Sequence, residues 1–146
     1  MKVILGADHG GYYKKETIKN WLFSNGYDVL DVGSNSLVED DDFVDYAKVA
    51  VSKYLDGDKM ILFCRNGFGM SIVANRYTGI RCGFGFNIEA VARGRNDDDI
   101  NALAIPADYL EEDEMVKIVE VFLKEKFSDD VKYQRRVKKI DNIRLW

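Results

Sequence analysis

The sequence is poor in histidine, proline and cysteine: His9, Pro106 and the pair Cys64 and Cys82 are all that it contains of these types. With one histidine and no Cys-x-x-Cys pair, the chain lacks the ligand sets typical of zinc and similar metal sites, so we predict no bound metal. The N-terminus begins in a strand-like run rather than a signal peptide. We therefore expect a cytoplasmic protein whose two thiols stay free in reducing surroundings.

The chain also lacks an excess of basic residues and any long apolar run. Its formal net charge is −4, which argues against sequence-independent binding to nucleic acid. No apolar run is long enough to span a bilayer, so we expect no membrane partner. What is present, 146 residues of which 47% are hydrophobic and 32% charged, predicts one soluble globular domain over residues 1–146.

Strand-like and helix-like segments alternate along the chain. The predicted strands cover residues 2–7, 27–32, 59–63, 79–84 and 101–106, and the predicted helices cover 14–25, 42–55, a segment from about 70, 88–95 and 111–126. This alternation indicates βαβ units, a parallel sheet and helices on both of its faces. A polar segment at 33–41 is predicted to be an exposed loop. A basic helical segment at about 131–144 either projects from the core or covers a partner chain.

A cysteine loop, Cys64-Arg-Asn-Gly-Phe-Gly-Met-Ser71, follows the apolar run at 60–63 and precedes a helical run. Ligands of open parallel sheets bind at the carboxyl ends of strands, so the loop carries a thiol to a place where chemistry is expected. Unpaired N–H groups at a helix start favour negative charge and can activate such a thiol. The alternative, a small buried hydrophobe, fits Cys82 better than Cys64. A Cys-x5-Arg phosphatase loop is rejected, because Met70 stands where that loop needs arginine.

The first predicted strand ends in Asp8-His9-Gly10-Gly11, which brings an acid and an imidazole to the same edge of the sheet. His9 can bind a phosphate or sugar oxygen, and Asp8 can handle a hydroxyl proton. In the alternative interpretation Asp8 caps the next helix and His9 is an ordinary loop residue. The glycine spacing does not match the dinucleotide fingerprint, which disfavours a nucleotide- or flavin-binding module.

Two charged runs lie in the second half of the chain. Lys132 and Arg136 are four residues apart, so they can clamp a phosphate from one helix face, although such a run is commonly a solvated face. The acidic run Asp97-Asp98-Asp99 precedes the fifth predicted strand and is typical of a solvated turn or a helix stop.

Taken together, these motifs resemble the ribose-5-phosphate isomerase type B family, which also includes the galactose-6-phosphate isomerase subunits. The resemblance covers nearly the whole chain. It rests on Asp8-His9-Gly10-Gly11, Asp42-Phe43-x-Asp45-Tyr46-Ala47, Cys64-x-x-Gly67-x-Gly69-Met70-Ser71-Ile72-x-Ala74-Asn75, Gly79-Ile80-Arg81, and Arg136-Val137 with Ile140.

The resemblance implies an α/β fold, namely a Rossmann-like three-layer α/β/α sandwich with a five-stranded parallel sheet. It implies an aldose–ketose isomerase that acts on a small phosphorylated sugar through an enediolate, with no metal or organic cofactor. It further implies a homodimer or tetramer in which each active site lies at a dimer interface and uses residues of both chains.

The resemblance also assigns roles to single residues. Cys64 corresponds to the base that moves a proton between C1 and C2, and Asp8 to a carboxylate near the ring oxygen and hydroxyls. His9 corresponds to a phosphate ligand. The backbone cradle for the enediolate oxygens corresponds to Gly67, Phe68 and Gly69, and two phosphate-binding arginines correspond to Lys132 and Arg136.

The sequence departs from the family pattern at several of its site positions. Asp97 stands where the family has its ring-opening histidine, and Asp98 stands on the asparagine that follows. Asn66 replaces a threonine or serine of the catalytic loop, and Arg65 replaces a small residue. Three further replacements are Phe43 for a tyrosine, Tyr133 for a histidine and Asp108 for an arginine. We expect Asp97 to take over ring opening, and Arg65 to supply the charge lost at Asp108.

The leading functional prediction is conversion of ribose 5-phosphate to ribulose 5-phosphate. Because the departures fall in the substrate pocket, a hexose 6-phosphate such as allose or galactose 6-phosphate is an alternative substrate. The competing class is a sugar-phosphate-binding protein that has lost catalysis. The missing histidine favours that class, and the retained Cys64, Asp8 and glycine loop disfavour it.

Overall fold

A computed structural model describes residues 1–143 of the chain. Five strands, β1 (Lys2–Ala7), β2 (Asp28–Asp31), β3 (Lys59–Cys64), β4 (Cys82–Phe84) and β5 (Ala102–Pro106), form one sheet in the order β2-β1-β3-β5-β4. Every pair of neighbouring strands is parallel. The six helices are α1 (Tyr12–Ser24), α2 (Phe43–Lys53), α3 (Phe68–Ala74), α4 (Ile88–Asp98), α5 (Glu112–Lys124) and α6 (Val131–Asp141).

The helices bury the two faces of the sheet in separate core clusters. Side chains of a strand alternate between the faces, so Leu5 and Phe63 pack with α1, α4 and α5, whereas Ile4 and Leu62 pack with α2 and α3. All four of these side chains are fully buried. The predicted three-layer α/β/α sandwich with a five-stranded parallel sheet is therefore confirmed.

The strand order creates a switch point between β1 and β3. The chain leaves β1 toward β2 on one side, and α2 then carries it back to β3 on the other side. In open α/β sheets the crevice beyond the carboxyl ends of two such strands is the usual ligand site. Asp8 and His9 directly follow β1, and Cys64 ends β3, so the fold brings the two main motifs to this crevice.

Several element boundaries differ from the predicted ones. The strand predicted from residue 79 begins only at Cys82, since Gly79 adopts a left-handed φ of +82° that no strand accommodates. The helix predicted to end at Arg95 continues to Asp98 and stops at Asp99, whose φ is +47°. Asp97 and Asp98 therefore lie in the last turn of α4 rather than in a loop before β5.

The C-terminal basic segment forms α6, which packs against α4 and buries Val137. It therefore does not project from the core, but Ile140 on the same helix remains exposed. Arg144, at the end of the predicted segment, lies outside the described residues. In the described part of the chain no helix is both long enough and apolar enough to cross a membrane.

Candidate active site

A cavity of about 360 Å³ opens at the carboxyl ends of β1 and β3. It is lined by both predicted motifs and one residue of α2: Asp8, His9, Phe43, Cys64, Arg65, Asn66, Phe68 and Gly69. The structure thus brings together six of the predicted catalytic and binding side chains, together with the backbone of the glycine loop.

Cys64 lies at the base of the cavity with only 5% of its surface exposed. The backbone N–H of Gly67 donates a hydrogen bond to its Sγ over 3.2 Å. A donor of this kind interacts more strongly with a sulfur that carries negative charge than with a neutral thiol. The loop therefore gives the Cys64 sulfur both a fixed orientation and a hydrogen-bond donor, as a proton-abstracting thiolate needs.

Two glycines shape the loop around this thiol. Gly67 has a φ of +76°, a left-handed value, and a Cβ there would lie 2.6 Å from the ring of Phe84. At Gly69 a Cβ would lie 2.6 Å from the ring of Phe43, which lines the cavity wall. A larger residue at either position would displace the loop or an aromatic ring.

Asn66 and the opening of α3 complete the loop. The Asn66 Oδ1 accepts the backbone N–H of Phe68 over 3.1 Å, so this predicted catalytic side chain also stabilises the turn. The next N–H group, that of Gly69, lies in the first turn of α3 and has no acceptor within the helix, and Gly69 lines the cavity. Of the three predicted cradle residues, Gly67 and Phe68 already donate their N–H groups to Cys64 and Asn66, so Gly69 is the one whose N–H remains for an anionic oxygen.

Asp8 combines the two interpretations that the sequence left open. Its Oδ1 accepts the backbone N–H of Gly11 over 3.0 Å and so caps the short 3-10 turn His9–Gly11 that precedes α1. Its side chain also lines the cavity. Burial raises the pKa of Asp8 above its ordinary value, and the bond from Gly11 offsets only part of that effect. The carboxyl can therefore exchange a proton more readily than a solvated aspartate.

The imidazole of His9 is held by a residue that the sequence did not single out. Nδ1 of His9 lies 2.6 Å from Oδ1 of Asp41, and the backbone N–H of His9 donates to the same oxygen over 2.9 Å. Burial alone would raise the pKa of Asp41, but these hydrogen bonds hold it below its ordinary value. Asp41 comes from the acidic loop before α2, where no local pattern distinguishes it from Asp40 and Asp42.

Asp8, His9 and Asp41 form the one group in the described chain whose donor atoms are close enough to hold a metal ion, within 4.8 Å of one another. However, the 2.6 Å contact joins Nδ1 of His9 directly to the carboxylate of Asp41. This is the geometry of a hydrogen-bonded pair rather than of two ligands that face an ion.

Arg65 lies at the rim of the cavity and pairs with Asp108. Its guanidinium lies 3.6 Å from the Asp108 carboxylate, and the Asp108 backbone N–H donates to the Arg65 carbonyl over 2.9 Å. Both side chains are exposed. The positive charge that we expected Arg65 to supply is therefore shared with the acid that replaces the family's arginine.

Five predicted site residues do not line this cavity: Gly67, which bonds to the Cys64 sulfur from within the loop, and four residues of the second half of the chain. Asp97 and Asp98 precede β5, whose first residue pairs with Met60 near the start of β3, so they lie at the opposite edge of the sheet from Cys64. Asp98 instead lines a second cavity of about 300 Å³.

Lys132 and Arg136 are likewise away from Cys64 and share one face of α6. There they flank the Tyr133 ring, at 4.4 and 5.6 Å from its centroid. None of these four residues therefore lies beside Cys64 within the same chain.

Comparisons with known proteins agree with this geometry. Residues 3–140 match the model of the Ribose/Galactose Isomerase family. A Mycoplasma genitalium protein named probable ribose-5-phosphate isomerase B is 31% identical over 141 residues, which cover 94% of this chain and 92% of that protein. The 4-deoxy-4-sulfo-D-erythrose isomerase of Clostridium sp. strain MSTE9 is 33% identical over 107 residues, covering 72% of this chain and 67% of that protein.

Comparison with solved structures gives the same result. The crystal structure of ribose-5-phosphate isomerase B from Mycoplasma genitalium with bound ribulose-5-phosphate superposes with a TM-score of 0.91 at 30% identity, and the match covers 96% of this chain and 93% of that one. Because the family model spans nearly the whole sequence and the strand order places its motifs around one cavity, this chain belongs to the ribose/galactose isomerase family of sugar-phosphate isomerases.

Proposed function

We propose that this chain interconverts a phosphorylated aldose and its ketose through an enediolate, with Cys64 as the base and with ribose 5-phosphate and ribulose 5-phosphate as the default pair. The observation that carries the proposal is the geometry of Cys64. Its Sγ accepts a backbone hydrogen bond and lies at the base of a cavity that Asp8 and His9 also line. The choice of substrate is supported by the name of the Mycoplasma genitalium relative, probable ribose-5-phosphate isomerase B, and by the ribulose-5-phosphate bound in the crystal structure of ribose-5-phosphate isomerase B from that organism.

The reaction moves hydrogen without an oxidant or a reductant. The Cys64 thiolate removes the C2 proton of the open-chain aldose, and the electron pair of that bond forms the C1–C2 double bond of the enediolate. Negative charge then gathers on O1, where the N–H group of Gly69, which lines the cavity, can stabilise it. Return of the proton to C1, with loss of the O2 proton, gives the ketose. Asp8 is suited to carry the proton between the two oxygens, because burial raises the pKa of its carboxyl.

We further propose that a second copy of the chain completes the site. In this arrangement the partner brings Asp97 for ring opening, Asp98 for substrate contact, and Lys132 and Arg136 for the phosphate. The proposal is supported by the family resemblance and by the position of these four residues away from the cavity of their own protomer. It accounts for the small number of cations around Cys64.

A second candidate substrate class is a sugar that ends in a sulfonate. Asp108 lies 3.6 Å from Arg65, so the rim of the cavity carries less positive charge than an unpaired arginine would give it. A singly charged sulfonate requires less compensation than a phosphate dianion. One relative bears the name 4-deoxy-4-sulfo-D-erythrose isomerase, which fits this class. A hexose 6-phosphate remains the third possibility.

Exchange of substrate hydrogen with deuterated water tests the proposal. We expect the purified protein to form ribulose 5-phosphate from ribose 5-phosphate and to introduce deuterium at C2 of the recovered aldose. The same assay with allose 6-phosphate, galactose 6-phosphate and 4-deoxy-4-sulfo-D-erythrose would rank the substrates. Binding of these sugars without any exchange would instead identify a sugar-phosphate-binding protein that has lost catalysis.

A further inference from the structure

We infer that Asp41 is a positioning residue for His9: it holds the imidazole through Nδ1, so that Nε2 is the ring nitrogen left to bind an anionic oxygen of the substrate. This inference rests on the proposed function, since it takes His9 to be a substrate ligand. It concerns the orientation and hydrogen position of one ring, which can be measured without any isomerase assay.

The first support is that one carboxylate oxygen holds His9 twice. Oδ1 of Asp41 accepts both the ring Nδ1, at 2.6 Å, and the backbone N–H, at 2.9 Å. The backbone bond fixes where the residue leaves β1, and the ring bond fixes the rotation of the side chain. A lone histidine in a loop would need neither bond, whereas a ligand histidine is commonly oriented by such a carboxylate.

The second support is the burial of the His9–Asp41 pair and the backbone conformation of the loop before α2, which places Asp41 beside His9. The Asp41 side chain is 9% exposed, compared with 26% for His9, so the carboxylate lies behind the ring and the ring faces the cavity. Asp41 follows Asp40, an exposed residue with a left-handed φ of +68°. Asp42 then caps α2 through a bond from the Val44 N–H. The loop thus turns one of four consecutive acids, Glu39 to Asp42, inward toward His9.

The third support is chemical. When an imidazole donates its Nδ1 hydrogen to a carboxylate, its neutral form keeps Nε2 as an acceptor and its charged form presents an Nε2–H donor. The charged form suits a phosphate or a sulfonate oxygen, and the Asp41 carboxylate then balances the positive ring. Asp8 and Arg65 are the other charged groups that line this cavity, one of each sign.

The experiment uses the fact that His9 is the only histidine of the chain. With ring-¹⁵N histidine, one pair of nitrogen signals reports which nitrogen carries the hydrogen in alkaline buffer, where an imidazole has a single ring hydrogen. We expect the hydrogen on Nδ1 in the wild-type protein and in Asp41→Asn, whose amide oxygen can still accept it. In Asp41→Ala we expect it to move to Nε2. Addition of inorganic phosphate should shift the Nε2 signal of the wild type.

Kinetics give a second readout. If Asp41 acts by orienting a substrate ligand, Asp41→Ala should raise KM about tenfold and leave kcat within about threefold, because binding is lost in the ground and transition states alike. Asp41→Asn should recover part of that loss. The matched control is Asp40→Asn, which removes the same charge from the neighbouring exposed residue, tolerates the left-handed φ and should leave KM unchanged.

A wild-type hydrogen on Nε2, or an Asp41→Ala protein with an unchanged ring and unchanged KM, would overturn the inference. A loss of NMR signal dispersion in Asp41→Ala would show that this variant is unfolded. The inference would then be tested by comparing KM in Asp41→Asn with KM in Asp40→Asn, and equal values would overturn it. A wild-type protein with the hydrogen on Nδ1 but without deuterium exchange would refute the proposed function and leave the role of Asp41 in place.

Discussion

The two edges of the sheet use charged groups in opposite ways. At the amino edge, Arg95 bonds to the Asp99 carboxylate over 2.7 Å and to the Ile100 carbonyl over 2.6 Å. Arg81 bonds to the same Asp99 over 2.7 Å and to Asp141 of α6 over 2.9 Å. These groups bond to one another and brace the start of β4 and β5 against α4 and α6. At the carboxyl edge, Asp8 accepts the Gly11 N–H and His9 bonds to Asp41, and the side chains of both Asp8 and His9 line a cavity.

The two cysteines show the same contrast. Burial raises the pKa of Cys82, at the start of β4, to about 12, so that thiol stays protonated. Cys64, at the end of β3, receives a backbone hydrogen bond and lines the cavity. The comparison teaches that, within one chain, the charged groups around Arg95 and Arg81 are paired with one another, whereas Asp8, His9 and Cys64 line the cavity. We therefore expect substitution of Cys64 to affect activity more than stability, and substitution of Arg95 to affect stability more than activity.

Replacing each cysteine by alanine would test this contrast most strongly. We expect Cys64→Ala to lower kcat about a thousandfold, because a positioned acid–base group contributes about 10² to 10⁴ in rate. Cys82→Ala should keep kcat within about twofold, since its thiol is far from the cavity and protonated. Deuterium exchange at C2 measures both. Equal losses in the two variants would contradict the assignment of the base.

The next effect concerns stability at the amino edge. Arg95→Met removes the buried cation that joins Asp99 and the Ile100 carbonyl, so we expect the free energy of unfolding to fall by about 3 kcal/mol. Urea unfolding measures this loss, and kcat per folded molecule should stay close to that of the wild type. Arg93→Met, an exposed arginine of the same helix, is the matched control and should change stability by less than about 0.5 kcal/mol.

Alkylation compares the thiols directly. A pKa of about 12 leaves on the order of one Cys82 in ten thousand as thiolate at pH 8. Both thiols line a cavity, so access does not distinguish them. We expect iodoacetamide to modify Cys64 at least about a hundredfold faster, because only the thiolate reacts and burial keeps the Cys82 thiol protonated. Peptide mass spectrometry gives both rates in one sample. Inorganic phosphate or ribose 5-phosphate should slow the reaction at Cys64 alone, and preferential labelling of Cys82 would reverse the assignment of the two sites.

The sequence predicted what depends on local pattern and missed what depends on distant contacts. The five strands and the position of Cys64 followed from apolar runs and glycines, which act over a few residues. Asp41 was missed because its partner, His9, is 32 residues away, and only the folded chain brings the loop before α2 to the end of β1. The end of α4 was placed too early, because the left-handed residue that stops it, Asp99, is an aspartate that pattern alone does not distinguish from Asp97.

The smallest expected effect is a difference between two acids of the carboxyl edge, Asp8 and Asp41. Their contributions to the free energy of unfolding should depend on pH in opposite ways. Hydrogen bonds hold the pKa of Asp41 below its ordinary value, so its carboxylate stabilises the fold above that value and loses this effect as the pH falls through the lowered pKa. Asp41→Asn should therefore cost about 1 kcal/mol at pH 7, and the cost should shrink below about pH 4. Urea unfolding of both proteins across the pH range measures this difference.

Asp8 should behave in the opposite sense, because burial raises its pKa and its charged form is unfavourable in the folded state. Asp8→Asn keeps an oxygen that can accept the Gly11 N–H, so we expect it to be as stable as the wild type or slightly more stable at pH 7. This gain should disappear as the pH falls and the wild-type carboxyl takes up its proton. If both substitutions changed the free energy of unfolding in the same direction at pH 7, the two carboxyls would not differ in their environment. The assignment of Asp8 as a proton carrier and Asp41 as a positioning residue would then be contradicted.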